Sequence, residues 1–110
     1  MGGEFLGEFE QMVLLAVLRL GEEAYGWTVG GELEKVAGRS VSSGALYTTL
    51  DRLERKGLLR SHKGPGEAER GGRPRRYLSV TARGVEAVRH AREAMDRLWE
   101  TVDLRPREAR

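Results

Sequence analysis

The sequence predicts a mainly α fold carrying one small β-hairpin. Three observations lead there. Four stretches place apolar residues at helical spacing, and three of them end at a glycine, Gly21, Gly38 or Gly57. Two short alternating runs, "LLRSH" and "RRYLSVT", flank a loop rich in glycine and arginine. The order is helix, helix, helix, hairpin, helix. At 110 residues the chain is one domain's worth. A domain of that size buries about 65% of its unfolded surface, enough for a modest core.

The first helix is expected from about Glu8 to Leu20. Phe9, Met12, Val13, Ala16, Val17 and Leu20 make one stripe, and Leu14, Leu15 and Leu18 carry it round the cylinder. A helix that is apolar nearly all round needs cover on more than one side, so this one is expected to pack against a second chain as well. The second helix runs from about Trp27 to Ala37, with Val29, Leu33 and Val36 inward and Gly30 and Gly31 in its middle.

The third helix, in "SVSSGALYTTLDRLERKGLL", starts at Ser42, whose hydroxyl suits an N-cap. Leu46, Leu50 and Leu53 form its core face. Gly57 stops it and Leu58 tucks back onto it. Its other face carries Ser43, Tyr47, Thr48, Asp51, Arg52 and Arg55. A loop over residues 64–74 then separates the two strands, with four glycines and two prolines. The last helix starts near Thr81 and runs to about Val102. Val88, Ala91, Met95, Leu98 and Val102 form a seam, with Trp99 beside it, suited to a partner helix.

The net charge of +2 hides an uneven distribution. Residues 1–50 hold three Lys/Arg against seven Asp/Glu, whereas residues 51–92 hold twelve against five. A basic middle section is the footprint of a phosphate backbone or, less commonly, of an acidic protein surface.

The element order is that of a winged helix-turn-helix domain, which explains the polar face of the third helix. Such a recognition helix buries one stripe and lays the other in the major groove of DNA. Ser42, Ser43, Gly44, Tyr47 and Thr48 are the candidates at the groove. Arg52, Lys63 and the hairpin residues Arg70, Gly71, Gly72, Arg73, Arg75 and Arg76 are the candidates for phosphates or the adjacent minor groove.

The blocks "LGEFEQMVLLAVLRL", "AYGWTVGGEL", "GALYTTLDRLERKGLL" and "RGGRPRRYLSVTARG" resemble, in order and spacing, the PadR-type transcriptional regulators. The resemblance runs from about Leu6 to Trp99. It implies a winged helix-turn-helix domain over residues 1–80 and a C-terminal dimerisation helix over 81–103, the short form of that helix, with a frayed tail at 104–110. It also implies a homodimer on palindromic double-stranded operators, usually as a repressor of its own or a neighbouring operon. Some members of the family are released by small aromatic effectors. The "GG" of the second helix departs from the bulkier polar residues usual there.

The dimer interface is expected at Phe5, Phe9, Leu15, Val88, Ala91, Met95, Leu98, Trp99 and Val102, and an effector, where one exists, at Phe9, Met95 and Trp99. No cysteine is present, which excludes disulfides, thiol catalysis and cysteine-ligated zinc and fits a cytoplasmic protein. His62 and His90 belong to no metal or catalytic spacing, and no phosphate- or dinucleotide-binding fingerprint occurs. No enzyme activity, metal or cofactor is therefore expected. The longest apolar run, "MVLLAVLRL", is too short to span a membrane, and nothing at the N-terminus reads as a signal peptide. The rival reading is a winged-helix module that docks an acidic protein on its basic face.

Overall fold

Helix α1 occupies Glu8–Leu20, and its central place follows from its composition. The computed structural model describes residues 5–66 and 74–107. Val13, Leu14, Ala16 and Val17 are at most 3% exposed, because α1 is packed by α2 (Gly26–Ala37), α3 (Ser43–Arg55), the hairpin and α4 (Ala82–Trp99). One side stays uncovered, where Leu15 and Leu18 face solvent. After one 3-10 turn at Gly21–Glu23, α2 opens with the Tyr25 backbone N–H donating to Thr28 Oγ1 at 3.0 Å. Val29 and Leu33 are buried as expected, but Val36 is exposed. The last turn of α2 overhangs the core and leaves the stripe one residue short.

Helix α3 begins where its sequence indicates. Ser42 Oγ accepts the Ala45 N–H at 3.1 Å, and Leu46, Leu50 and Leu53 are buried. At the other end Gly57 adopts φ 78°, a region closed to most side chains. The Gly57 N–H reaches Glu54 O and the Leu58 N–H reaches Leu53 O, both at 3.0 Å, which returns Leu58 to full burial.

Strands β1 (Leu59–Gly66) and β2 (Pro74–Val80) pair antiparallel, Leu59 opposite Val80 and Lys63 opposite Arg76. Both strands reach further into the expected loop than the alternation indicated. The register shifts between Lys63 and Gly66, and Gly66 still pairs with Pro74. A bulge absorbs the glycine-rich stretch, and Pro74 stands first in its strand, where a missing N–H is tolerated. The residue before α2 also joins the sheet. Leu78 N–H donates to Ala24 O at 2.9 Å, and Tyr25 bridges Tyr77.

Helix α4 is capped by Thr81, whose Oγ1 accepts the Gly84 N–H at 3.0 Å and donates to Gly57 O at 2.7 Å. Gly84 and Ala87 are buried against the domain, while every described residue from Arg92 onward is exposed. The helix ends at Trp99, short of the expected Val102. Thr101 and Val102 are β-branched, and Asp103 Oδ1 accepts the Arg105 N–H at 3.0 Å, a local turn that competes with the helix. Of the expected frayed tail, residues 108–110 lie outside the described residues. Among the described residues, no helix is long and apolar enough to cross a membrane.

Candidate nucleic-acid interface

The start of α3 projects from the domain because its leucine face is buried against α1 and α2. Ser42, Ser43, Gly44, Tyr47 and Thr48 are all exposed there, on one or two turns of helix. Asp51 and Arg55 continue the same outward face one and two turns further on. Tyr47 is less free than the sequence indicates. A Cβ on Gly26 would lie 2.2 Å from its hydroxyl oxygen, so the phenol rests on bare backbone at the start of α2. Beside it runs an open groove of about 410 Å³ between α2 and α3, lined in part by Trp27, Gly30, Gly31 and Ser43.

The cations sort into two groups. Lys63 is exposed on β1. Arg52 lies on the flank of α3, where its Nε donates to Glu10 Oε2 at 2.9 Å, and Lys56 Nζ donates to the same oxygen at 3.1 Å. Glu10 Oε1 accepts the Gly7 N–H at 3.0 Å. One carboxylate thus ties the start of α1 to the second half of α3. Burial pushes the Glu10 carboxyl up, but hydrogen bonds from Arg52, Gly7 and Lys56 outweigh it and hold the group below its ordinary value.

Arg76, near the loop end of β2, meets Glu54 Oε1 at 2.7 Å and Asp51 Oδ1 at 3.1 Å. Ser61 Oγ also donates to Glu54. The Arg76 hydrogen bond lowers the Glu54 carboxyl. Arg76 itself is pushed down by burial and raised further by its two carboxylates, so it stays charged. Arg75 places its guanidinium 4.3 Å from the centre of the Tyr25 ring. Tyr25 meets Tyr77 edge to face, and His62 stacks on the other side of Tyr77. Arg70, Gly71, Gly72 and Arg73 lie outside the described residues.

Sequence reasoning missed Glu10. Its signal was present, since Glu10, Leu14 and Val17 share a helix face, and a carboxylate on a buried face needs buried donors. The Asp51–Arg76–Glu54 cluster had no such signal, because it depends on where the hairpin folds back.

The residues expected at a dimer interface fall into two sets. Leu15, Met95, Leu98, Trp99 and Val102 are each between 48% and 70% exposed, Phe5 95%. Phe9, Val88 and Ala91 are half-buried within the chain, and the Arg39 guanidinium lies over the Phe9 ring at 5.3 Å. Phe9, Met95 and Trp99 line neither the groove above nor a second open cleft of about 760 Å³ between the end of α1 and the hairpin. No cluster of three or more candidate metal ligands occurs among the described residues.

Helices α1 to α3 with the hairpin against them make a winged-helix fold. F93 from STIV, a winged-helix DNA-binding protein, shares the fold at TM-score 0.69 and 18% identity over 91% of this chain and 100% of that one. A PadR-like transcription factor from Bacteroides fragilis matches at TM-score 0.69 and 28% identity over 84% of each chain. A PadR-family regulator from Eggerthella lenta matches at TM-score 0.60 and 28% identity over 86% of this chain and 88% of that one. Residues 14–90 match the model of the transcriptional regulator PadR-like family. The chain belongs to that family, and is a DNA-binding transcriptional regulator rather than an enzyme. Among curated proteins, none matches closely enough to add to this assignment.

Proposed function

We propose that the protein is a homodimeric, sequence-specific repressor that binds a palindromic operator close to its own gene. The observation that carries this reading is the exposed start of α3, where Ser43, Gly44, Tyr47 and Thr48 stand on a helix fixed at both flanks. Side chains near the start of a recognition helix reach base edges, and cations alongside hold phosphates. In this assignment Ser43, Gly44, Tyr47 and Thr48 enter the major groove. Lys63 and the hairpin residues Arg70 and Arg73 follow the backbone beside it. Ser42 caps the helix and leaves its hydroxyl hydrogen to donate to a phosphate. The Nε of Arg52 is held by Glu10 and its Nη2 donates to Thr49 Oγ1 at 3.5 Å, leaving Nη1 for the backbone.

The dimer forms through α4 and the uncovered side of α1. Its support is the run of exposed apolar residues Leu15, Leu18, Met95, Leu98 and Trp99, a patch that a monomer would leave in water. The two-fold axis sets the recognition helices about 34 Å apart, one turn of DNA. A flat aromatic effector would lie between Met95 and Trp99 of one copy and Phe9 of the other, and would act by shifting that spacing.

Selection from a random duplex pool tests the function, using purified protein at near-physiological salt with excess competitor. A palindromic motif with half-sites one turn apart is the expected outcome. Recovery of salt-sensitive binding without a motif would count against a sequence-specific regulator.

A further inference from the structure

We propose that Asp51 is a specificity-determining residue that reads cytosine in the operator half-site. The inference rests on the DNA-binding reading above and adds to it a residue that is not among the groove candidates. Asp51 stands three residues after Thr48 and four before Arg55, so it shares their outward face of α3, away from Leu46, Leu50 and Leu53. Its side chain is 54% exposed. A carboxylate in that position faces the most negative polymer in the cell, so it opposes every phosphate contact that the neighbouring cations make.

The local charge does not cancel it. Arg76 meets both Asp51 Oδ1 at 3.1 Å and Glu54 Oε1 at 2.7 Å, so two carboxylates share one guanidinium and the cluster keeps a net negative charge. Arg55, one turn on, supplies the nearest outward cation on the same helix. Arg76 holds the Asp51 carboxylate by one oxygen, which leaves the other to accept a hydrogen bond. In the major groove a carboxylate is matched by the amino group of cytosine, a pure donor. Guanine presents two acceptors, thymine one acceptor and a methyl, and adenine places an acceptor beside its donor. Asp51 therefore raises the penalty at three bases and rewards the fourth.

The test is a set of parallel selections from one random duplex pool with the wild-type protein, D51N and R76A, each first shown by circular dichroism to be folded at the selection temperature. The wild-type motif is expected to contain a position restricted to cytosine in each half-site. D51N is expected to relax that position alone, lowering the preference for cytosine by about tenfold, and to bind non-specific DNA more tightly. R76A is expected to keep the cytosine preference. A wild-type motif that D51N leaves unchanged overturns the assignment while sparing the regulator reading. Loss of the cytosine position in R76A as well as D51N also overturns it, since Asp51 would then act only by holding Arg76. A wild-type selection that enriches no motif overturns both.

Discussion

Gly84 and Gly31 show how differently one residue type can be constrained. A Cβ at position 84 would lie 2.1 Å from the Leu58 carbonyl oxygen, a backbone atom that cannot swing aside. At position 31 nothing lies within 4 Å. Gly84→Ala is expected to destabilise the fold by about 1–3 kcal/mol through overpacking, and Gly31→Ala to stabilise it by up to about 1 kcal/mol through helix propensity. Urea unfolding of the two variants would show shifts of opposite sign. Glu10 gives a second test at this scale. Its carboxyl is held below its ordinary value of 4.5 in the fold, so its ion pairs stabilise fully above that value and are lost as pH falls through the depressed one. The melting temperature should therefore stay level from pH 7 to about 5 and drop below 4.5. Glu10→Gln should be less stable at neutral pH and lose less in acid. An equal acid drop in both proteins would remove Glu10 from the account.

At the scale of elements, α3 is held from two sides, by Glu10 of α1 through Arg52 and Lys56 and by Arg76 of β2 through Asp51 and Glu54. These ion pairs tie α3 to both α1 and the hairpin, and in the proposed reading they set the angle between the two elements that meet DNA. Lys63 and Arg76 face each other across the hairpin but are expected to act differently. Lys63→Ala should reduce the slope of log affinity against log salt by about 1, as for a lost phosphate contact. Arg76→Ala should leave the slope nearly unchanged and lower the melting temperature, because its charge is spent inside the protein. A reduced slope for Arg76→Ala would return it to the phosphate contacts. The elements themselves were legible in the chain. The bounds of α1, the Ser42 and Thr81 caps and the Gly57 stop were all readable because each depends on a few neighbouring residues. What was not legible depends on distant ones. The partners of Arg52, Arg75 and Arg76 sit in other elements, and Tyr47 is pinned by Gly26 from the preceding helix. Val36 and Val102 fit their helical stripes in sequence, yet the core ends before one and the helix before the other.

At the scale of the whole molecule, the second half of α4 stands clear of its own domain with Met95, Leu98 and Trp99 in water. In the proposed dimer a second copy offering the same surface would close both patches at once, since a two-fold interface is self-complementary. Met95→Glu would place a charge in that seam and is expected to give a folded monomer by sedimentation equilibrium. A dimer of unchanged mass would relocate the interface. In that proposal dimerisation and recognition would be coupled by geometry alone, because each half-site is short and only the pair gives a site long enough to stand out in a genome.

In the proposed complex two recognition helices read one operator at a fixed spacing. The decisive experiment inserts about 5 base pairs, half a DNA turn, between the half-sites of the selected operator and follows affinity by fluorescence anisotropy. Affinity is expected to fall to the level of non-specific DNA, and to stay there when a full turn is inserted, because the half-sites then lie about two turns apart and the stiff duplex cannot bring them back to the dimer's spacing. Affinity indifferent to the half-turn insertion would contradict that complex, because each half-site would then be read by an independent protomer.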